Sequence, residues 1–371
     1  MDNSFSTPPV IAPMSPRPPS RGRGWMALAV ILIVLLCLSV FVNFTQMVSH
    51  SLHLGTLQNT NEHQAGPQVE EAILKDNGSE NKIAVIPVDG IITGHAADDS
   101  GNDMVEVFKA ELDAAKNDKD VKAVILKVDS PGGEVMAADD MYRAIRRFED
   151  DTNGKPVICS MGSLAASGGY YISAPCRWIV ADELTLTGSI GVIMETVNYR
   201  GLMDKIGVSP YVFKSGTYKD MLSGSRETNE IPPGEHEMVQ GLVTDTYNRF
   251  KSVVQEGRDA AHEKNKEDGQ PLSPDWTNFA DGRVLSGEQA LHLGLVDQLG
   301  DFRDAVDRAK KIAGISDANL VEYQESYDIS QFLKFLGKSE IKNRDVKVDL
   351  GMDVPRVEAG QFYYLYLPTA D

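Results

Sequence analysis

Along most of the chain, apolar residues come either in short unbroken runs or at helical spacing, and the two patterns alternate. KIAVIPVDGII (82–92) is a β-branched run ending in Asp-Gly, which predicts a strand and a turn. Val105, Phe108, Leu112 and Ala115 then fall on one face of a helix. VKAVILKVD (121–129) is apolar almost throughout, as expected of a strand covered on both faces. After SPGG comes a second helix, with Met141, Ile145 and Phe148 on its inner stripe. KPVICSM (155–161) predicts another buried strand, followed by a small-residue helix from Leu164. WIVA (178–181) and LTGSIGVI (186–193) add strands, LMDKIG (202–207) a short helix stopped at Gly207, and VSPYVF (208–213) the last core strand. Strands alternating with helices at this spacing imply βαβ units, a mainly parallel sheet and the α/β class.

Residues 235–257 predict a long amphipathic helix, with Val239, Leu242, Val243, Tyr247, Phe250, Val253 and Val254 along one side. A connector with Gly269, Pro271 and Pro274 follows. SGEQALHLGLVDQLG (286–300) reads as a helix stopped by glycine and then a turn, and 301–314 as another helix. Beyond about 325 the pattern weakens, and FYYLYL (362–367) reads as an added edge strand. There is no internal duplication.

The N-terminal part follows other rules. Residues 25–42 read WMALAVILIVLLCLSVFV without a charge, and Phe44 extends the run. About 20 apolar residues span a bilayer core as a helix, whereas a cleaved leader has only about 7–15. With no small-x-small cleavage site after it, the run (25–44) reads as an uncleaved transmembrane anchor. Arg17, Arg21 and Arg23 precede it, and no Lys or Arg follows until Lys75. That asymmetry puts the N-terminus in the cytoplasm and the main domain outside the cell membrane, single-pass. Residues 1–24 are rich in Pro, Ser and Gly and read as a disordered tail. Polar residues 45–81 read as a juxtamembrane linker, with the folded part starting near Lys82.

The net charge of −18 argues against nucleic-acid binding, which needs a basic stripe. Three cysteines, Cys37, Cys159 and Cys176, make neither a disulfide framework nor a zinc spacing, and read as small buried hydrophobes. No clustered His and Cys and no H-E-x-x-H occur, so neither a metal nor a cofactor is expected.

The candidate chemistry lies in a serine and a lysine with no histidine near either. Ser167 sits in GSLAASGGYY (162–171) and Lys219 in KSGTYKD (214–220). All seven histidines lie at 95 or before, or at 236 or after. A serine hydroxyl needs a base in hydrogen-bond reach and donors for the developing oxyanion. Lysine serves as that base only when neutral, a state that burial favours. Tyr218, Met221 and Leu222 around Lys219 are compatible with partial burial, and Asp220 is expected to turn outward. The residues by themselves leave alternatives open. Ser167 can be a packing serine, since position 165 is alanine and G-x-S-x-G is absent. SPGG (130–133) suits an oxyanion hole but also a plain strand-to-helix turn. Ser189 in LTGSIG can orient a lysine or merely close a turn, Lys214 competes as the base, and Lys219 can be a surface residue.

Taken in order, DSPGG (129–133), SLAASGGYYIS (163–173), LTGSIGV (186–192), KSGTYKD (214–220) and ADGRVLSGEQA (280–290) closely resemble the signal peptide peptidase A family, also called protease IV. The resemblance covers roughly 82–325. It implies a Ser–Lys peptidase domain there, with Ser167 as nucleophile and Lys219 as general base. Gly132 or Gly133 and the N–H of Gly168 would form the oxyanion hole, and Ser189 would help orient the lysine. The implied fold is the Clp protease and crotonase type, a core of repeated ββα units, here single-copy. The family also implies homo-oligomeric rings, in which serine and lysine can come from neighbouring protomers. The expected function is a membrane-anchored serine endopeptidase acting on signal-peptide remnants and other short hydrophobic peptides. Alternatives are a stomatin-directed Ser–Lys protease of the same fold, an acyl-CoA enzyme of crotonase type, and an inactive ring scaffold. Residues 326–371 fall outside the resemblance and carry no assigned role.

Overall fold

A computed structural model of the protein describes residues 30–41, 66–95, 102–152, 154–325 and 363–365. The chain divides into two compact units, Met1–Gln64 and Ala65–Asp371. In the first, residues 30–41 form a helix, α1, exposed along its length and carrying Cys37. Twelve residues rise roughly 18 Å, short of a ~30 Å hydrocarbon core. Among the described residues no helix is long and apolar enough to cross a membrane. The rest of the run read as an anchor, 25–29 and 42–44, lies outside the described residues, as does the 1–24 tail.

The second unit is a mixed α/β body around a nine-stranded, mainly parallel sheet. Its central strands are β2 (Lys82–Asp89), β3 (Val121–Ser130), β5 (Val157–Ala166) and β6 (Trp178–Ala181), all parallel. β1 (Val69–Lys75) and β10 (Asn319–Glu325) extend one side, and β9 (Gln298–Leu299) the other. β7 (Leu186–Gly188) joins the far end of β5 and pairs antiparallel with β8 (Val284–Ser286).

Alternation along the strands sends side chains to two cores. Ala84, Ile86, Val124, Leu126, Val157 and Cys159 face helices α2 (Met104–Asn117), α3 (Val135–Asp151), α4 (Gly168–Ser173) and α6 (Glu235–Asn265). Ile83, Ala123, Ile125, Ile158 and Val180 face α8 (Phe302–Ala313). The strand and helix readings for 82–92, 104–117, 121–129, 178–181 and 301–314 match these elements. Within 286–300 the expected helix is the short α7 (Gly287–His292), opened by a capping box at Ser286, and the end of the span is β9.

Several expectations are corrected. The segment from Leu164 is not yet helix: β5 continues to Ala166, because Leu164 and Ala165 still pair with Leu186 and Thr187 of β7. β7 stops at Gly188, where Ser189 turns to φ 48°, so 186–193 is a strand only in its first three residues. VSPYVF forms no strand and has no sheet edge beside it, leaving Tyr211 and Phe213 90% and 96% exposed. It belongs to an arm, residues 194–234, that includes α5 (Arg200–Lys205). α6 packs on the core from Tyr247 onward, through Phe250, Val253 and Val254, whereas Leu242 is exposed. The span read as a linker contains β1, which the sheet captures through antiparallel pairing with β10.

One buried ion pair ties α6 to the corner that follows α4. Arg258 donates to the Asp297 carboxylate and, at 3.1 Å, to the Cys176 carbonyl, while Asp297 also accepts the Ile179 amide at 2.8 Å. Both side chains are essentially sealed from water. Asp297→Ala leaves the guanidinium without its counter-charge and is expected to destabilise the protein by about 3–5 kcal/mol, read by urea denaturation.

Glu111 on α2 is buried facing Glu322 and Glu325 of β10. Burial first, and then those two carboxylates, push its pKa up to about 8. The folded protein therefore keeps a proton that the unfolded chain releases near the ordinary carboxylate value. The stability tied to that proton is complete below the unfolded value and is lost as pH rises toward about 8. Glu111→Gln is expected to flatten this decline, and melting temperatures taken across that range for both proteins test it.

Candidate active site

The site is built where β5 ends and α4 begins. Ser167 stands between them with φ 54° and ψ −116°, a conformation that costs a non-glycine residue on the order of 1–3 kcal/mol. The surroundings impose it. Ser167 N–H donates to the Gly188 carbonyl at 2.9 Å, and Thr187 Oγ1 donates to the Ala165 carbonyl at 2.7 Å, so β7 fixes the strand side of the turn. On the helix side, Tyr171 N–H donates to the Ser167 carbonyl at 2.8 Å. The strained strand-to-helix turn thus forms without the G-x-S-x-G spacing.

The small residues of AASGG admit a second backbone. A Cβ on Gly169 would lie 2.8 Å from the Ser130 carbonyl oxygen, and one on Gly168 3.0 Å from Gly132 Cα and 3.1 Å from Gly133 N. Gly132, at φ 96°, has no space for a side chain: its Cβ would fall 2.5 Å from Gly168 N and 1.9 Å from the Tyr364 carbonyl oxygen. The amides around the serine therefore differ in availability. Gly132 N–H donates to Ser130 Oγ at 3.1 Å. Ile92 bonds the Gly132 carbonyl (2.9 Å) and the Glu134 amide (2.8 Å), so the main-chain groups of Gly133 face the opposite edge. The Gly133 and Gly168 amides thus lie close together beside Ser167, next to the Tyr364 carbonyl oxygen, and SPGG leads into a short strand, Gly132–Glu134.

A cavity of about 640 Å³ opens in front of the serine. Ser167 and Ser189 lie in its wall with Val192, Val243, Tyr247 and Asp281, and its lining holds no histidine or lysine. Ser189 is buried and its N–H donates to the Arg283 carbonyl at 2.8 Å. Arg283 hydrogen-bonds Asp281 and holds its carboxyl down at about 2, so this acid is an ionised partner of the arginine. Asp281 and Gly282 belong to ADGRVLSGEQA, a motif that carried no residue role in the sequence.

Ser167, Gly168, Gly132, Gly133 and Ser189 are therefore brought together, and Lys219 is not among them within one chain. Lys219 is exposed on the arm, and its ammonium has no hydrogen-bond partner among the described residues. Lys214 is committed to an ion pair with Asp220 at 2.9 Å. Asp220 turns inward rather than outward, held by Lys214 and by Arg226, which itself is sealed against Glu235. Among the described residues no group of His, Cys, Asp and Glu could hold a metal ion.

The groove edge holds a further element. β4 (Gly132–Glu134) pairs antiparallel with β11 (Tyr363–Leu365), the edge strand expected in FYYLYL. Nothing in the residue pattern identifies this partner, because the two strands lie far apart in the chain and meet only in space.

A strained serine beside two main-chain amides, facing an open cleft, is an arrangement that a serine hydrolase can use. Residues 149–316 match the model of peptidase family S49. The chain is 39% identical over 246 residues to a Synechocystis sp. protein named as a protease, covering 66% of this chain and 82% of that one. It is 36% identical to a protein of Enterococcus faecium named signal peptide peptidase SppA, over 69% of this chain and 71% of that one. It is 34% identical to protease 4 of Haemophilus influenzae, over 62% of this chain and 35% of that longer protein. The chain belongs to peptidase family S49 and is a serine peptidase.

A methyl on Gly132 cannot be placed without moving Gly168 N, so Gly132→Ala is expected to push the two amides apart and, if they receive the oxyanion, to reduce peptide hydrolysis by about 10²–10³-fold. Steady-state kinetics on a fluorogenic peptide, with circular dichroism to verify the fold, measure it.

Proposed function

We propose that this protein is a membrane-anchored serine endopeptidase with a Ser–Lys dyad, in which Ser167 of one copy is served by Lys219 of another. The observation that carries the reading is the pairing of a strained serine, whose cavity is lined by no histidine or lysine among the described residues, with a lysine displayed on an exposed arm. The arm also exposes Val197, Leu202, Ile206, Tyr211 and Phe213, apolar surface that a neighbouring copy would cover.

In the proposed reaction Ser167 Oγ attacks the peptide carbonyl, and the Lys219 amine takes its proton. The Gly133 and Gly168 amides receive the oxyanion, and the proton passes to the departing amine as the acyl-enzyme forms. Lys219 then deprotonates a water that hydrolyses the ester. Ser189 helps orient the lysine. The β4 edge, which pairs an extended strand, and the apolar wall of Val192, Ile193 and Val243 support short hydrophobic peptides, including signal-peptide remnants, as substrates. The unit β3–β4–α3, with β4 set off the main sheet, supports the Clp protease and crotonase type of core. The uncharged run 25–44 and the preceding arginines support a single anchor with the peptidase domain outside the cytoplasm.

Ser167→Ala and Lys219→Ala are each expected to lower peptide hydrolysis at least ~10³-fold, since the groups act as a unit. Mixing the two variants under conditions that allow subunit exchange is expected to restore about a quarter of the wild-type sites, because neighbours then supply what each lacks. A mixture as inactive as its components would refute the shared dyad.

A further inference from the structure

The chain leaving β2 runs beside β4 and bridges it, in parallel, at Ile92 and Gly133. Gly90 N–H donates to the Asp129 carbonyl at 2.9 Å and starts this segment along the sheet. Ile92 then bonds on both sides of Gly133, accepting from Glu134 N–H at 2.8 Å and donating to the Gly132 carbonyl at 2.9 Å. A Cβ on Gly133 would fall 1.9 Å from the Ile92 carbonyl oxygen, so the two backbones are in direct contact. The position of Ile92 therefore sets the peptide planes around Gly133 and the direction of its N–H.

The three residues after Ile92 converge on one side chain. Thr93 Oγ1 donates to Glu134 Oε1 at 2.9 Å, Gly94 N–H donates to Glu134 Oε2 at 3.1 Å, and His95 Nδ1 lies 2.9 Å from Oε1. His95 N–H also donates to Thr93 Oγ1 at 3.2 Å. Glu134 is the residue that caps the start of α3, where a polar side chain ordinarily accepts an amide of the first helical turn. Its carboxylate makes no such bond and turns to residues 93–95 instead. The Glu134 side chain is largely buried and that of His95 is exposed, so the carboxylate is the inner end of the contact. An acid withheld from its own helix and bonded to three consecutive residues beside Gly133 is placed to hold that segment.

We propose that Glu134 is a positioning residue of the active site: by gathering Thr93, Gly94 and His95 it keeps Ile92 against β4 and fixes the direction in which Gly133 presents its amide. The inference rests on the reading of Gly133 and Gly168 as the donors that receive the oxyanion. Glu134 acts through Gly133 and takes no part in proton transfer. A donor held off line still lets the peptide bind but receives the developing charge poorly, so the loss falls on kcat.

The test uses the full-length protein and steady-state hydrolysis of a fluorogenic peptide, with active sites counted by fluorophosphonate labelling of Ser167. Glu134→Ala is expected to lower kcat about tenfold and to leave KM within about twofold. The drop is smaller than the loss of a whole donor because the Ile92 backbone bonds remain. Glu134→Gln keeps an acceptor for Gly94 and offers its amide to Thr93 Oγ1 and to an unprotonated His95. In mildly alkaline buffer it is therefore expected to recover kcat to within about threefold of the unmutated protein. Thr93→Val removes one of the three donors, is expected to lower kcat about threefold, and serves as the measurement if Glu134→Ala does not fold. Unchanged kcat per labelled site, a loss carried by KM alone, or Glu134→Gln no better than Glu134→Ala overturns the proposal. Gly132→Ala separates the two readings. A loss there with none in the folded Glu134 variants overturns the role of Glu134 alone, whereas no loss in any of them overturns the oxyanion site on which it rests.

Discussion

The site depends on one close approach, that of the Gly132–Gly133 backbone to the first amide of α4. Two main chains can lie this near only if neither carries a side chain at the contact, since a single methyl on Gly132 would sit 2.5 Å from Gly168 N. The approach brings two amides to the same side of Ser167 and forces the serine into its left-handed turn. β7 clamps the turn through the Gly188 carbonyl, and the ion pair of Arg258 and Asp297 holds the corner that follows α4. The strain at Ser167 is sustained because bonds on both sides specify it.

The same geometry divides labour between rigid and projecting parts. Ser167, the neighbouring amides and part of the cavity wall come from strand ends and one short helix packed on the central sheet. The lysine sits on an arm that is held together internally, by Arg200 with Asp204 and Glu227 and by Arg226 with Asp220 and Glu235, while its apolar side chains face outward. Polar groups paired within and apolar side chains turned outward invert the usual arrangement, a pattern that marks interaction surfaces.

Much of the core was legible in the residues. The runs at 82–92, 121–129 and 178–181 and the helical stripes at 104–117 and 301–314 fold as their periodicity predicts, because burial of one face or of both is a local property of the pattern. The glycine and serine motifs at 130–133, 163–173 and 186–192 were visible as a set, and the fold gathers them at one place. The errors have a common cause. β5 runs on to Ala166 because β7 pairs with it, VSPYVF remains without strand partners because no edge lies beside it, and β1 is captured by β10 from the other end of the domain.

The sequence by itself determined the α/β class, the apolar run near the N-terminus, the absence of histidine around the serine, and the small residues without which two backbones could not meet. Tertiary structure decided the strained turn of Ser167, the close approach of the Gly133 and Gly168 amides, the separation of Lys219 from the cavity, and the seat of Tyr364. Each of these is a relation between segments far apart in the chain. Periodicity reports which face of an element is buried, but only packing sets which strand edge, carbonyl or charge arrives opposite it.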